Sequence, residues 1–299
     1  MKTRESETIE IDLVHDFAVI AADMLEQYGF DRPVIDDARK VLLSFLGFQH
    51  RLIQQKPRKI YKPQNFTCPE EYREGLELLE QKITDGEDLT PHQSRQILKY
   101  EKKDPLLNDW GIQHLHLGTE MEPGRPLIQG TPEVLFVLFK NDAAYFIKIA
   151  GHGQWSDQDM IRILHDNFPE SIESWRASGV LGLAHVPTNE DVNTLRKAGV
   201  NSGLEIYPGV VYFSPGGGYA TDGTNIWVSM KVNDYARFSI RTANEIVDKE
   251  GAIRESLRAH TSDVPEILKI KLVLNDNNFV ILETNTNVAL LSIPTDSVR

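Results

Sequence analysis

The change of hydrophobic period at Trp110 constrains this chain more than any other feature. Before about residue 105 apolar residues recur at helical spacing, and beyond Trp110 they alternate or run together as they do in strands. In "HDFAVIAADMLEQYGF" the positions Phe17, Ile20, Ala21 and Leu25 form one helical stripe. A second helix is expected to begin after Asp31-Arg32-Pro33, because proline fits a first turn, and to run through "VIDDARKVLLSFLGFQHRLI". "CPEEYREGLELLEQKITDG" opens with Pro69 and two glutamates and closes on Gly86, so it reads as a third helix. "TPHQSRQILKY" reads as another, with Thr90 as its cap and Pro91 in its first turn.

After Trp110 the run "WGIQHLHLG" alternates, and a polar loop rich in Gly and Pro, "TEMEPGRPLIQGTP", follows it. "EVLFVLF" is almost wholly apolar, as expected of a strand buried on both faces. "KNDA" supplies turn residues, and "AYFIKIA" returns as the second arm of a hairpin. "SDQDMIRILHDNF" is expected to be a helix capped by Ser156. Further on, "GVVYFSPGGGYATDGTNIWVSMKV" reads as strands around glycine turns and "TANEIVDKEGAIRESLRAH" as a helix. "EILKIKLVLNDNNFVILETNTNVALLSI" then reads as strand, turn, strand and a further short strand. The expected fold is α+β. A helical N-terminal region would occupy residues 1–105, and a central antiparallel sheet with a packed helix 106–200. A β-rich part would fill 201–299, as a separate domain or as an extension of the same sheet.

Length and charge bound the function. At 299 residues the chain can bury a sizeable core in one large or two modest domains. Its 32 Lys and Arg against 44 Asp and Glu give a net charge of −12, which disfavours whole-surface attraction to nucleic acid or anionic membrane. A local basic patch can still steer RNA. Arg58, Lys59 and Lys62, with Arg51 and Lys56 nearby and Tyr61 among them, form a candidate of that kind, the structural alternative being a solvated loop. A single cysteine rules out an intrachain disulfide. The opening "MKTRESETIEIDLV" lacks the apolar region of a signal peptide, and no apolar run approaches the roughly 18 residues of a membrane span. A cytoplasmic protein without a membrane partner is expected.

The alternation at Ile112, His114 and His116 puts both imidazoles on one face of a strand, roughly 6.5–7 Å apart. His152 lies just beyond the third central strand, between Gly151 and Gly153, and Lys148 shares its parity. Arg125 falls in the loop after the histidine pair. If these strands are neighbours, three imidazoles and two cations converge at one end of the sheet. Such a group suits metal-independent RNA cleavage. One neutral histidine removes the ribose 2′-hydroxyl proton and a protonated one donates to the departing 5′-oxygen. Arg125 and Lys148 would stabilise the transition-state charge.

A metal is the competing reading. His114, His116 and His152 supply three nitrogens suited to zinc or iron, and Glu120 follows the pair at the spacing of a first cupin motif. The glycine before the pair is too close for that motif, and "GHGQW" does not reproduce its second half. The structural alternative leaves the histidines as sheet-edge polar residues and the chain as a non-catalytic interaction protein. "SPGGGYATDG" lacks the Lys-Ser/Thr continuation of a phosphate loop and reads as glycine turns. His165 and His185 read as packing or surface residues, Cys68 as a buried or capping thiol, and Glu283 as a lone strand acid with an interaction role.

"DPLLNDWGIQHLHLG", with "LFVLF", "AYFIKIAGHGQW" and "FTCPEEY", resembles a family of uncharacterised bacterial proteins over roughly residues 60 to 175. That resemblance carries no settled activity. At the level of pattern, a small antiparallel sheet bearing basic and histidine residues is similar to RelE-like ribonuclease toxins. This second resemblance implies RNA as substrate and an antitoxin or other protein as partner.

Overall fold

The computed structural model describes residues 6–298. They divide into two compact units. Gly47–Ile226 is one, and the segments ending at Leu46 and beginning at Trp227 together make the other. The blocks expected at 1–105, 106–200 and 201–299 run differently from these units, because the two ends of the chain share a sheet.

The chain opens with β1 (Ile9–Ile11), α1 (Leu13–Gln27) and α2 (Ala38–Arg51). The Asp12 carboxylate caps α1 by accepting the His15 N–H, and Phe17, Ala21 and Leu25 are buried along one stripe of it. α2 starts later than Pro33 suggested. The Asp37 carboxylate accepts the Lys40 N–H at 3.2 Å, so a side-chain cap rather than the proline fixes its first turn.

The unit Gly47–Ile226 contains β2 (Lys59–Tyr61), α3 (Arg73–Asp85), α4 (Pro105–Trp110), β3 (Ile112–His116), β4 (Glu133–Phe139) and β5 (Ala143–Gly151). It continues with α5 (Asp159–Asn167), α6 (Asn189–Lys197), β6 (Gly203–Tyr207) and β7 (Val210–Phe213). Its main sheet has the order β2-β5-β4-β3. β3, β4 and β5 run antiparallel and β2 joins β5 in parallel. One face packs Ile112, Val134 and Phe136 against Met160, Ile161 and Leu164 of α5. The other packs Leu115, Leu135, Val137 and Phe146 against Leu76, Leu79 and Ile83 of α3. Burying each such side chain contributes about 1.5–3 kcal/mol, which explains why "EVLFVLF" needs no polar face.

Two local expectations are corrected here. The segment from Thr90 forms two short 3₁₀ turns, Thr90–His92 and Arg95–Leu98, instead of one helix. α5 has Gln158 rather than Ser156 at its cap position, and the Asp157 carboxylate accepts the Asp159 N–H.

The chain then returns to the other unit through α7 (Ile226–Asp248), α8 (Glu250–Arg258), β8 (Leu268–Asn275), β9 (Asn278–Glu283) and β10 (Val288–Pro294). "IWVSMKV", expected to be a strand, is the first part of the long helix α7. The sheet order is β1-β8-β9-β10, with Ile9 opposite Leu268 in a parallel pair. Leu268, Ile270 and Leu272 are buried while Lys269 and Lys271 are exposed, the alternation of a sheet with one covered face. Among the described residues, no helix is long and apolar enough to cross a membrane.

Candidate functional site

α4 sets the entry to the histidine strand. Asp104 accepts the Leu107 N–H at its start, and Gly111 (φ +73°) ends it in a left-handed turn that feeds β3 directly. The antiparallel register then lines up two rows on one sheet face. Phe136 separates His114 from Lys148, and Val134 separates His116 from Ala150. His152 continues the second arm, its N–H donating to the Pro132 carbonyl at 2.8 Å. β4 therefore lies between the histidine-bearing segments, but the loop after β5 brings them together. Ring centroids are 6.4 Å apart for His114 and His116, 5.9 Å for His114 and His152, and 5.5 Å for His116 and His152. Trp155 packs on two of the three, 4.5 Å from His114 and 4.8 Å from His152.

Burial acts on two of these rings, His114 and His116. The His116 imidazole is pushed down to about 4, first by burial and then by His114 and His152 beside it. Burial also lowers His114, with His152 adding to the effect and Asp104 opposing it. Nδ1 of His116 accepts the Thr131 N–H at 3.0 Å, so its neutral ring carries the proton on Nε2. Buried His92 donates from Nδ1 to the His116 carbonyl at 3.0 Å, and burial lowers it too. His92 is a fourth imidazole that the strand pattern gave no reason to include.

A cavity of about 340 Å³ opens beside the trio. His114, His152 and Trp155 line it together with Arg51, Arg196 and Lys197. Arg196 Nε donates to Asp109 at 2.8 Å, a second nitrogen donates to the Trp155 carbonyl, and the guanidinium lies 3.9 Å over the Trp110 ring. The other oxygen of Asp109 accepts the Ser214 hydroxyl at 2.8 Å. The "SPGGG" loop thus serves this buried ion pair. Gly216 N–H donates to the Asp109 carbonyl and Gly218 N–H to that of Asn108, each at 2.8 Å. Arg51 donates to the carbonyls of Gln96, Lys99 and Tyr100, and burial lowers it to about 10.

The other expected site residues lie apart from the cavity lining. Lys148 pairs with Asp157. Arg125 is exposed and shares Glu122 with Arg95. Glu120 is exposed and accepts the Gln129 side-chain amide at 3.4 Å, away from the imidazoles with which it was grouped. Among the described residues no three His, Cys, Asp or Glu side chains stand as a ligand set for one ion. The basic patch is largely engaged in the fold. Arg58 is buried, donates to the carbonyls of Lys140 and Gln54, and covers Phe139. Lys59 lies over Tyr61, and Lys62 pairs with Glu80 at 2.6 Å.

His165 bonds the Tyr212 hydroxyl, and His185 is exposed beside Asp191. Burial raises the Cys68 thiol, the opposite of a reactive thiolate. Glu283, in the other unit, is fully buried and accepts the N–H groups of Lys269 and Thr286.

Asp109, Trp155 and Arg196 were not singled out in the sequence, and Arg51 was placed only with the basic patch. Trp155 and Asp109 stood inside the quoted runs "GHGQW" and "DWGIQHLHLG", while nothing local marks Arg196, one of two cations ending α6. Compared with known families, curated proteins and solved structures, the chain shows no match, so its chemistry is read from this geometry alone.

Proposed function

We propose that this protein is a metal-independent ribonuclease whose paired histidines move protons at an RNA phosphodiester. The observation that carries this reading is a group of three neighbouring imidazoles, two of which, His114 and His152, line a cavity together with cations. His114 is held neutral by burial, the state a general base needs at neutral pH. It takes the 2′-hydroxyl proton as the 2′-oxygen attacks phosphorus, and the bond from phosphorus to the 5′-oxygen breaks. His152, the other ring lining the cavity, gives its proton to that leaving oxygen. The products are a 2′,3′-cyclic phosphate and a free 5′-hydroxyl.

His116 is neutral at this pH and stacks on His152 at an interplanar angle of 20°, so it orients that ring without adding a repelling charge. Arg196 and Arg51 take the charge-stabilising role first expected of Arg125 and Lys148, which are paired elsewhere. The RelE-like resemblance extends the proposal to a toxin-like cytoplasmic setting with a protein antitoxin as partner.

The test is incubation of end-labelled mixed-sequence RNA with the full chain in excess EDTA. Cleavage leaving 2′,3′-cyclic phosphate ends is the expected result. Cleavage that appears only when zinc or iron is restored would replace this proposal with the metal reading. No cleavage under either condition would leave an interaction protein.

A further inference from the structure

The segment from Lys99 to Lys103 lies at the cavity mouth, because Ile97 before it and Asp104 after it both line the cavity. Arg51 holds it there by donating to the carbonyls of Gln96, Lys99 and Tyr100. Lys99, Lys102 and Lys103 are exposed, and so is Lys197, which lines the cavity from the end of α6. Among the described residues Lys99 and Lys102 enter no ion pair. Lys103 Nζ donates to the Asp222 carbonyl, which fixes the ammonium without cancelling its charge. The turn at Gly223 touches both sides of the mouth. An added Cβ there would lie 3.6 Å from that Nζ, and one on Gly199, just past α6, would lie 3.8 Å from the Gly223 Cα.

Charge points to a polyanion at this mouth. Arg51, Lys99, Lys102, Lys103, Arg196 and Lys197 gather here against Glu101, Asp104, Asp109 and Asp222, six cations to four acids. Three of the acids have local work: Asp104 accepts the Leu107 N–H, Asp222 the Thr224 N–H, and Asp109 pairs with Arg196. In a chain of net charge −12 this is a local reversal of sign. The rim cations are all lysines, compact charges on flexible stems, which follow a backbone rather than clamp one phosphate in a fixed geometry. The basic patch read from the sequence lacks that freedom, since Arg58 is buried and Lys62 is paired with Glu80.

We propose that Lys99, Lys102 and Lys103, with Lys197 on α6, form a track for the backbone of single-stranded RNA, holding the phosphates that flank the reacting one. The cavity, at about 340 Å³, has the size of a small-molecule site, so the nucleotides on either side of the reacting one lie outside it, over the rim. A duplex keeps its nucleotides paired and stacked, whereas a single strand can splay one inward. Lysine contacts to phosphate carry no sequence information, so the track holds the strand without choosing its bases. That the strand is RNA rests on the ribonuclease reading; a polyanion track at this rim does not.

The experiment is a fluorescence-anisotropy titration of the full chain with a labelled 2′-O-methyl oligonucleotide, which lacks the attacking hydroxyl, as a single strand and as a duplex, over a series of salt concentrations. Wild type is compared with the double variants Lys99→Gln/Lys102→Gln and Lys59→Gln/Lys62→Gln. Wild type is expected to bind the single strand at least about tenfold more tightly than the duplex, because the duplex cannot feed a nucleotide into the cavity. Removing Lys99 and Lys102 is expected to weaken the single strand by about tenfold at about 0.1 M salt and to reduce the salt slope by about 1.4, at roughly 0.7 per phosphate contact. The Lys59 and Lys62 pair is expected to leave both unchanged. No binding by wild type, equal affinity for strand and duplex, or equal losses in the two variants would overturn the proposal. Cleavage of the matching unmodified RNA in EDTA is measured on the same preparations. Binding that depends on Lys99 and Lys102 without cleavage supports the track and removes the ribonuclease reading, whereas cleavage with binding unchanged in that variant removes the track.

Discussion

His116 shows how a residue legible in sequence takes its chemistry from what surrounds it. Alternation in "GIQHLHLG" is enough to put His114 and His116 on one face, and the parity of Lys148 and His152 puts them on the same one. The packing of these imidazoles on one another has no local signature, and it is burial that keeps His116 neutral. The consequence is measurable. With about 4 in the fold against 6.5 in the unfolded chain, the unfolded state binds the proton more readily. Stability from this group is therefore fully present above 6.5 and is lost as pH falls through the window to 4. The gap corresponds to about 3 kcal/mol. Urea unfolding at pH 7.5 and pH 4.5 should show wild type losing more stability over that interval than His116→Gln, and equal losses would contradict this assignment. Arg196 lies at the opposite extreme of legibility. A basic residue in the last turn of a helix ordinarily reads as a solvated charge, and only Asp109 and Trp110, far away in sequence, make it part of the cavity.

At the level of elements, period and turn chemistry identified the β4–β5 hairpin and the helices α1 and α3, because their apolar positions alternate or recur without interruption. They failed where a side chain competes for the backbone or where the pattern is ambiguous. Asp37 overrides Pro33 as the start of α2, and "IWVSMKV" satisfies a strand pattern yet continues into a helix. The glycine loop after β7 was legible as turns but not as a support for the site. At Gly216 an added Cβ would lie 2.2 Å from the Leu107 carbonyl oxygen and 2.4 Å from the Gly111 nitrogen, with backbone on both sides. Gly216→Ala should therefore force the loop off α4, with a cost of about 1–3 kcal/mol. RNA cleavage should fall with it, because the loop holds Asp109 and through it Arg196. Gly251→Ala, where nothing lies within 4 Å of the added carbon, is the control and should be neutral or slightly stabilising. A Gly216→Ala chain with unchanged urea midpoint and cleavage rate would refute the supporting role of the loop.

Over the whole molecule, the α+β class follows from the order of periods along the chain, but the partition into units does not. Ile9 pairs with Leu268 and Lys59 with Ala143, both in parallel register. Local pattern carries no information about which distant strand a short edge strand will join. The same separation in sequence hid the cavity, whose walls come from α2, the turns after Thr90, β3, the loop after β5 and α6. A net charge of −12 does not prevent cations from gathering locally, and Arg51, Arg196 and Lys197 line one cavity with His114 and His152. The central claim is that these two imidazoles perform the acid–base chemistry without a metal. Its most direct test is the rate of RNA cleavage in excess EDTA by wild type, His114→Ala and His152→Ala, each checked for an unaltered near-UV spectrum. The account predicts cleavage by wild type and a loss of at least about a hundredfold in each folded variant. Wild-type rates in either variant, or no wild-type cleavage until a metal is restored, would contradict it.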